Sequence, residues 1–560
     1  MPQVSQPIYK IKVEKNVYVT MRDGVRLAVD VYRPDVPGKF PALLAMSAYG
    51  KDLQVLPQQL QPRAEGSLLW DGTIEAGDPE YLVPRGYVHV IGDVRGSGDS
   101  EGQHVGQTDP EEARDGYEMV EWIAQQPWCD GNVGMIGISY YAGLQCRVAI
   151  EQPPHLKAIF PFEVHVDVDP TGVVNPGAYR IYTGRPMDPG PNNGSGMAPI
   201  NYVSAVEKRL SRDEFERLWQ ERLNDPDLKQ YSIYWSCLRY PYKNPIFADV
   251  LLTASCNDDK YRQIRPMPLD KIRIPVYTGG PWSHDWASQA FDCFNGVGGA
   301  KKCLMVAPGT IDRPWRTQHE EMIRWFDYWL KGIDTGIMKE PPIKMFIPGA
   351  NKWRYEQEWP LTRTKWTKFY LRSWKRLLEE PPTEDEGPDC YVQEPPSVTA
   401  DVKSVKYTTP PFPQDTEITG PLAVHFYAAI DQDDTNWNVK LREMDEHGNE
   451  IVHLPGTQPH LTDNWLKASF RALDEAKSKP GRPWHANKKQ PVRPGAIYEY
   501  ALSIGDLSKV IKSGHRLQME ICSMDNVPGY MHVCSSKTVL HKIYHDKEHP
   551  SYLLLPVIPE

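Results

Sequence analysis

Apolar and polar residues alternate over Val17 to Met21 and again over Val25 to Tyr32, and the two runs flank Asp23-Gly24. An Asp-Gly pair between alternating segments predicts a β-hairpin. Ala42 to Met46 and Tyr87 to Ile91 are continuous apolar runs ending in polar or glycine-rich sequence, as expected of short buried strands. Glu111 to Gln125 sets Tyr117, Val120, Trp122 and Ile123 on a helical repeat, and the apolar run Val133 to Ile136 follows. This alternation of strand and helix predicts a parallel sheet covered by helices.

After Phe162 the character changes. The proline- and glycine-rich stretch from Asp169 to Ser204 leads into the helical pattern of Asp213 to Trp219, so residues 165–268 read as an inserted helical cap. The sheet resumes at Ile274 to Thr278 and Cys303 to Val306, and Glu320 to Lys331 makes an amphipathic helix stopped at Gly332. From about 337 onward helical patterns nearly vanish. Leu422 to Tyr427 and Leu517 to Ile521, separated by turn residues, predict a C-terminal β-sandwich. The expected layout is therefore an α/β domain over 1–164 and 269–336, the cap over 165–268 and the sandwich over 337–560.

Composition supports this multidomain picture and removes several function classes. A chain of 560 residues exceeds one ordinary domain, and its 40% hydrophobic content is enough for a large core. The net charge of -10 is spread along the chain with no clustered basic surface, which argues against a nucleic-acid partner. The nine cysteines are widely spaced, without a C-x-x-C pair or a zinc-ligand cluster, and read as reduced thiols. Met1 to Pro7 lacks a basic region followed by an apolar run, and no stretch approaches the ~20 apolar residues of a membrane helix. A cytoplasmic protein without a membrane partner is expected. There is no phosphate-binding G-x-x-x-x-G-K-[ST] match, and Asp431-Gln432-Asp433-Asp434 lacks the glycine and closing glutamate of a calcium loop, so it reads as a solvated turn. No metal or organic cofactor is expected.

The candidate chemistry sits at Gly137-Ile138-Ser139-Tyr140-Tyr141-Ala142-Gly143. A serine hydroxyl is a weak nucleophile until a base takes its proton and the backbone projects it from the sheet. Here the serine follows a buried strand and precedes the helix-compatible run Leu144 to Ile150, the context of a nucleophile elbow. Small neighbours relieve crowding, and the helix N-terminus offers N–H groups to a developing oxyanion. The bland alternative is a buried glycine turn without chemistry.

Motifs in order along the chain add to this reading. They are Met21 to Leu27, Gly92-Asp93-Val94-Arg95-Gly96-Ser97-Gly98-Asp99-Ser100-Glu101-Gly102, Gln126-Pro127-Trp128, Gly131 to Met135, Arg324 to Gly332, Glu417 to Leu422 and Gly514 to Leu517. With them the chain resembles the cocaine esterase and X-Pro dipeptidyl peptidase group of serine hydrolases, the CocE/NonD family. The resemblance implies an α/β-hydrolase domain, a helical cap and a C-terminal jelly-roll β-sandwich. It also implies Ser139 as nucleophile, with the Tyr140 backbone N–H and the hydroxyl of Tyr49 as oxyanion donors. For Tyr49 the bland alternative is an ordinary packed aromatic after a strand. Ala142 stands where the family usually has glycine.

The family's acid and histidine turns are both altered. The family's Gly-Gly-Trp-Tyr-Asp type of turn becomes Gly279-Gly280-Pro281-Trp282-Ser283-His284-Asp285, with Ser283 at the acid position and Asp285 two residues late. Its Gly-Pro-Trp-x-His type of turn becomes Ala307-Pro308-Gly309-Thr310-Ile311, and isoleucine cannot carry a proton. His284, beside Asp285, and His319, with Asp312 close in sequence, are the candidate replacements; a third reading leaves no working triad. Either histidine could instead serve locally, His319 as a helix cap and His284 on a loop carbonyl. Glu163 and Asp167 follow the next buried strand and read first as structural. Trp282, Trp315, Trp235 and Tyr234 read first as core, and otherwise as the lining of an acyl pocket.

The sequence thus predicts a hydrolase of a small-molecule ester, or less readily an amide, acting through an acyl-enzyme on Ser139. One alternative is a repurposed member catalysing acyl transfer, elimination or cyclisation, and another is a ligand-binding protein built on a silent hydrolase. The sandwich offers a contact surface for a homo-oligomer.

Overall fold

The apolar runs of the first third form strands because neighbouring strands and covering helices bury both their faces. A computed structural model describes residues 4–56, 75–105, 109–166, 180–182, 201, 203–240, 252, 267–282, 284–299, 301–308, 318–452, 460–486, 488–525 and 530–559. The hairpin around Asp23-Gly24 is β1 (Ile11–Thr20) against β2 (Arg26–Pro34). Next come β3 (Phe40–Ser47), the short helix α1 (Pro79–Leu82), β4 (Val88–Asp93), α2 (Pro110–Ala124), β5 (Cys129–Ile138), α3 (Tyr140–Glu151) and β6 (Leu156–Phe162). α2 begins where the Asp109 side chain accepts the Glu111 N–H and Pro110 presets the first turn.

The expected cap region carries β7 (Arg180–Tyr182) and the helices α4 (Ala205–Arg209), α5 (Arg212–Leu223), α6 (Pro226–Lys229) and α7 (Ser232–Arg239). The α/β pattern resumes with β8 (Val276–Pro281), α8 (His284–Gly296), β9 (Lys302–Ala307) and α9 (His319–Lys331), the last ended by Gly332 at φ 69°. α9 buries Met322, Trp325 and Phe326 against the sheet, as its amphipathic pattern predicts.

These strands form one ten-stranded sheet, ordered β1-β2-β4-β3-β5-β6-β8-β9 and extended by β10 (Ile343–Ile347) and β11 (Lys352–Glu356). It is parallel from β4 to β10 and antiparallel at both margins. β10 and β11 fall inside the segment the sequence assigns to the sandwich. They join the first sheet because Ile343 and Met345 pair in register with Leu304 and Val306 of β9. A short strand without a following helix carries no mark of which sheet it completes.

From Lys365 onward the chain forms an eleven-stranded second sheet, folded around its own apolar core that includes Trp437, Phe426 and Leu553. The two units are fastened at α8. The Asp506 carboxylate takes hydrogen bonds from Ser288 Oγ at 2.6 Å and Trp359 Nε1 at 2.8 Å and pairs with Arg482, which also pairs with Asp292. The strand Tyr530–His532 reaches back to pair with β7, and Val533 completes the buried cluster of the cap helices. Among the described residues no helix is long and apolar enough to cross a membrane.

Candidate active site

The strand order changes direction between β3 and β5, and in open parallel sheets sites gather beyond the C-terminal ends of the strands at such a point. Because β3 and β5 are hydrogen-bonded neighbours, Tyr49, just beyond β3, and Ser139, just beyond β5, emerge side by side. Ser139 has φ 57° and ψ −115°, a conformation costing a non-glycine residue on the order of 1–3 kcal/mol. Hydrogen bonds hold it there: the Ser139 N–H donates to Phe162 O at 3.1 Å, and Ser139 O accepts the Gly143 N–H at 3.0 Å. Gly137 is required for the same turn. It has φ +135°, and a Cβ there would stand 2.2 Å from Tyr141 Cβ. Ala142 is fully buried in α3.

Tyr49 Oη lies 3.2 Å from Ser139 Oγ. The Tyr49 ring meets Tyr140 and Tyr141 edge to face, with centroids at 5.6 and 5.9 Å. Tyr140 opens α3, so its backbone N–H has no acceptor within the helix. Its hydroxyl turns away to the Glu112 carboxylate, at 2.8 and 2.7 Å from the two oxygens. Burial, and then the Glu112 charge, pushes the Tyr140 phenol well above its ordinary pKa, which keeps it a donor.

The turn carrying Tyr49 is braced by Asp93 at the end of β4. The two Asp93 oxygens accept the N–H of Lys51 at 2.8 Å and of Asp99 at 3.1 Å, while Lys51 Nζ lies 2.8 Å from Asp99. Gly98 is glycine because a Cβ would lie 2.2 Å from Asp93 Oδ2. Burial raises the Asp93 carboxyl to about 6, against the pull of the two N–H groups and Lys51. A carboxyl raised above its unfolded value stabilises the fold fully below the unfolded pKa, and that contribution is lost as pH rises through about 6. Urea unfolding at pH 4.5 and 7.5 is expected to show wild type losing about 2 kcal/mol more than Asp93→Asn over that interval. Equal losses in the two proteins would refute this.

Other site candidates are placed as follows. His284 opens α8 directly after β8, in a helical turn rather than the loop that the sequence suggests; its side chain and that of Asp285 lie outside the described residues, as do Ser283, Ile311, Asp312, Trp315, Asp167 and the side chain of Tyr234. His319 is the first residue of α9, its ring stacked on Tyr81 with centroids 3.8 Å apart. Glu163, just beyond β6, is 1% exposed with φ 53°, and its N–H donates to Gly279 O at 2.7 Å. Trp282 is core: its Nε1 donates to Phe346 O at 2.6 Å and its ring packs on Phe291 and Trp359. Trp235 lies in the cap and donates to Leu223 O at 3.1 Å.

Two residues make contacts that escape a reading of the sequence. His165 follows Glu163 and packs on Trp286 of α8 at 4.3 Å between centroids. Glu112 looks like one more acidic residue in a helix's first turn, and its partner Tyr140 is 28 residues away.

A family model described as X-Pro dipeptidyl-peptidase (S15 family) matches residues 23–310, and one described as the X-Pro dipeptidyl-peptidase C-terminal non-catalytic domain matches 335–554. The chain is 27% identical to a cocaine esterase of Rhodococcus sp., over 98% of both chains. It is 24% identical to a putative serine esterase of Mycobacterium bovis, over 99% of this chain and 96% of that one. A solved CocE/NonD family hydrolase from Staphylococcus aureus superposes with a TM-score of 0.76 at 23% identity, covering 98% of this chain and 93% of the other.

Proposed function

The chain belongs to the X-Pro dipeptidyl-peptidase (S15) family, enzymes that hydrolyse ester or peptide bonds, and from that premise we propose that it cleaves a carboxylic ester through an acyl-enzyme on Ser139. The observation that carries this reading is the strained elbow with Tyr49 Oη 3.2 Å from Ser139 Oγ. Attack by Oγ on the substrate carbonyl makes a tetrahedral oxyanion, which the Tyr140 N–H and Tyr49 O–H stabilise. Its collapse expels the alcohol and leaves the acyl group on Ser139, from which water releases the acid. His284, beside Asp285, or His319 carries the proton between serine, leaving group and water. An ester is favoured over an amide by the names of the cocaine esterase and the putative serine esterase, which match along nearly their whole length.

Incubation with a fluorophosphonate, followed by peptide mass analysis, is expected to place one label per chain on Ser139. A wild-type chain that takes no label refutes the proposal. Assayed side by side, His284→Ala and His319→Ala separate the two bases: the variant lacking the base loses on the order of 10³-fold or more in kcat, and the other stays near wild type. Wild-type rates in both would remove the histidine from the mechanism.

Ile311, where the family keeps its histidine, favours a second reading in which the same site performs acyl transfer, elimination or cyclisation. Reaction in ¹⁸O water distinguishes the two. Label in a product carboxylate supports hydrolysis, whereas an unlabelled transferred or rearranged product supports the second reading.

A further inference from the structure

A buried polar cluster lies behind the two oxyanion donors. Glu112 occupies the first turn of α2, where carboxylates usually meet solvent, yet it is 1% exposed. Its carboxylate accepts the Tyr140 hydroxyl, and His104 Nδ1 lies 3.1 Å from the same group. Arg147, seven residues beyond Tyr140 and so on the same face of α3, adds an opposite charge that interacts with Glu112. Burying a carboxylate is costly unless donors and opposite charge surround it, and groups so surrounded are held in one arrangement.

The cluster is also tied to the cap. The His104 N–H donates to Asn201 O at 2.9 Å, and His104 O accepts the Val203 N–H at 2.8 Å. A continuous set of contacts therefore runs from Asn201 and Val203 through His104, Glu112, Tyr140 and Tyr49 to Ser139.

We propose that Glu112 is a positioning residue for the oxyanion hole: by fixing the Tyr140 side chain it sets the Tyr140 backbone N–H and, through the edge-to-face ring contact, the Tyr49 hydroxyl. The contacts of the Glu112 carboxylate are with Tyr140 and His104, so its effect on the site passes through the two tyrosines. The inference rests on the reading of Ser139 as nucleophile.

Three variants test it, each followed by the rate and final extent of fluorophosphonate labelling and by kcat and KM on a p-nitrophenyl ester. Glu112→Ala removes the acceptor. Tyr140→Phe removes the hydroxyl but keeps the backbone N–H, and Glu112→Gln keeps an amide oxygen for that hydroxyl. Glu112→Ala and Tyr140→Phe are expected to label to about one per chain, which reports an intact fold. Their labelling rate and kcat should fall on the order of 10- to 100-fold while KM stays within about twofold. Glu112→Gln should recover most of that loss. Full labelling at the wild-type rate in both Glu112→Ala and Tyr140→Phe overturns the inference, and if Glu112→Ala does not fold, Tyr140→Phe decides alone. A wild-type chain without label fells the Ser139 reading and this inference together, whereas a labelled wild type with unchanged variants fells this inference only.

Discussion

Ser139→Ala is expected to lower turnover of an activated ester by about 10⁴-fold or more and to abolish fluorophosphonate labelling. The size follows from chemistry: without Oγ no acyl-enzyme can form, and what remains is binding and oxyanion stabilisation acting on water. The fold should survive. Alanine differs from serine here by one oxygen, and the bonds that hold the strained turn, from Ser139 N–H to Phe162 O and from Gly143 N–H to Ser139 O, are made by the backbone. A melting temperature close to wild type, together with loss of turnover, identifies a chemical role. Turnover at the wild-type rate would remove Ser139 from the mechanism.

Tyr49→Phe should lower kcat by about 10²- to 10³-fold with little change in KM, the loss seen when one oxyanion donor is removed. Phenylalanine preserves the ring that packs edge to face on Tyr140 and Tyr141, so the variant isolates the hydroxyl 3.2 Å from Ser139 Oγ. A donor that acts only when negative charge develops contributes to the transition state and not to substrate binding, which is why kcat carries the effect. An unchanged kcat would make Tyr49 an ordinary packed aromatic.

Much of the fold was legible along the chain. The Asp23-Gly24 hairpin, the buried strands up to β6, the helix before Gly332 and the β-rich C-terminal part all follow from local periodicity and turn chemistry. The elbow was legible for the same reason, since a buried strand, a tight small-residue turn and a helix follow one another without a break over residues 129–151. Tyr49 could be assigned only through the family resemblance. Nothing within its own segment says that β3 will lie against β5 and deliver it to a serine 90 residues later.

The limits appear where one residue's role depends on a distant partner. β10 and β11 have the lengths and patterns of sandwich strands, and hydrogen bonds to β9 place them in the other sheet. Val533 looks like sandwich sequence but is buried among the cap helices. Trp282 stands in a loop-like turn beside the expected cleft, and its indole is spent on Phe346 and the core.

By itself, then, the sequence determined what depends on neighbours in the chain: the periods of strand and helix, the glycine at 137 that lets the chain turn, and a serine raised on that turn. Tertiary structure alone decided which side chains meet across the sheet, above all that Tyr49 reaches Ser139 and that a buried carboxylate, Glu112, holds Tyr140 behind them. The reason is physical. Local conformation is set by short-range sterics and hydrogen bonding, whereas these meetings are set by strand order and packing summed over the whole domain, which no single segment encodes.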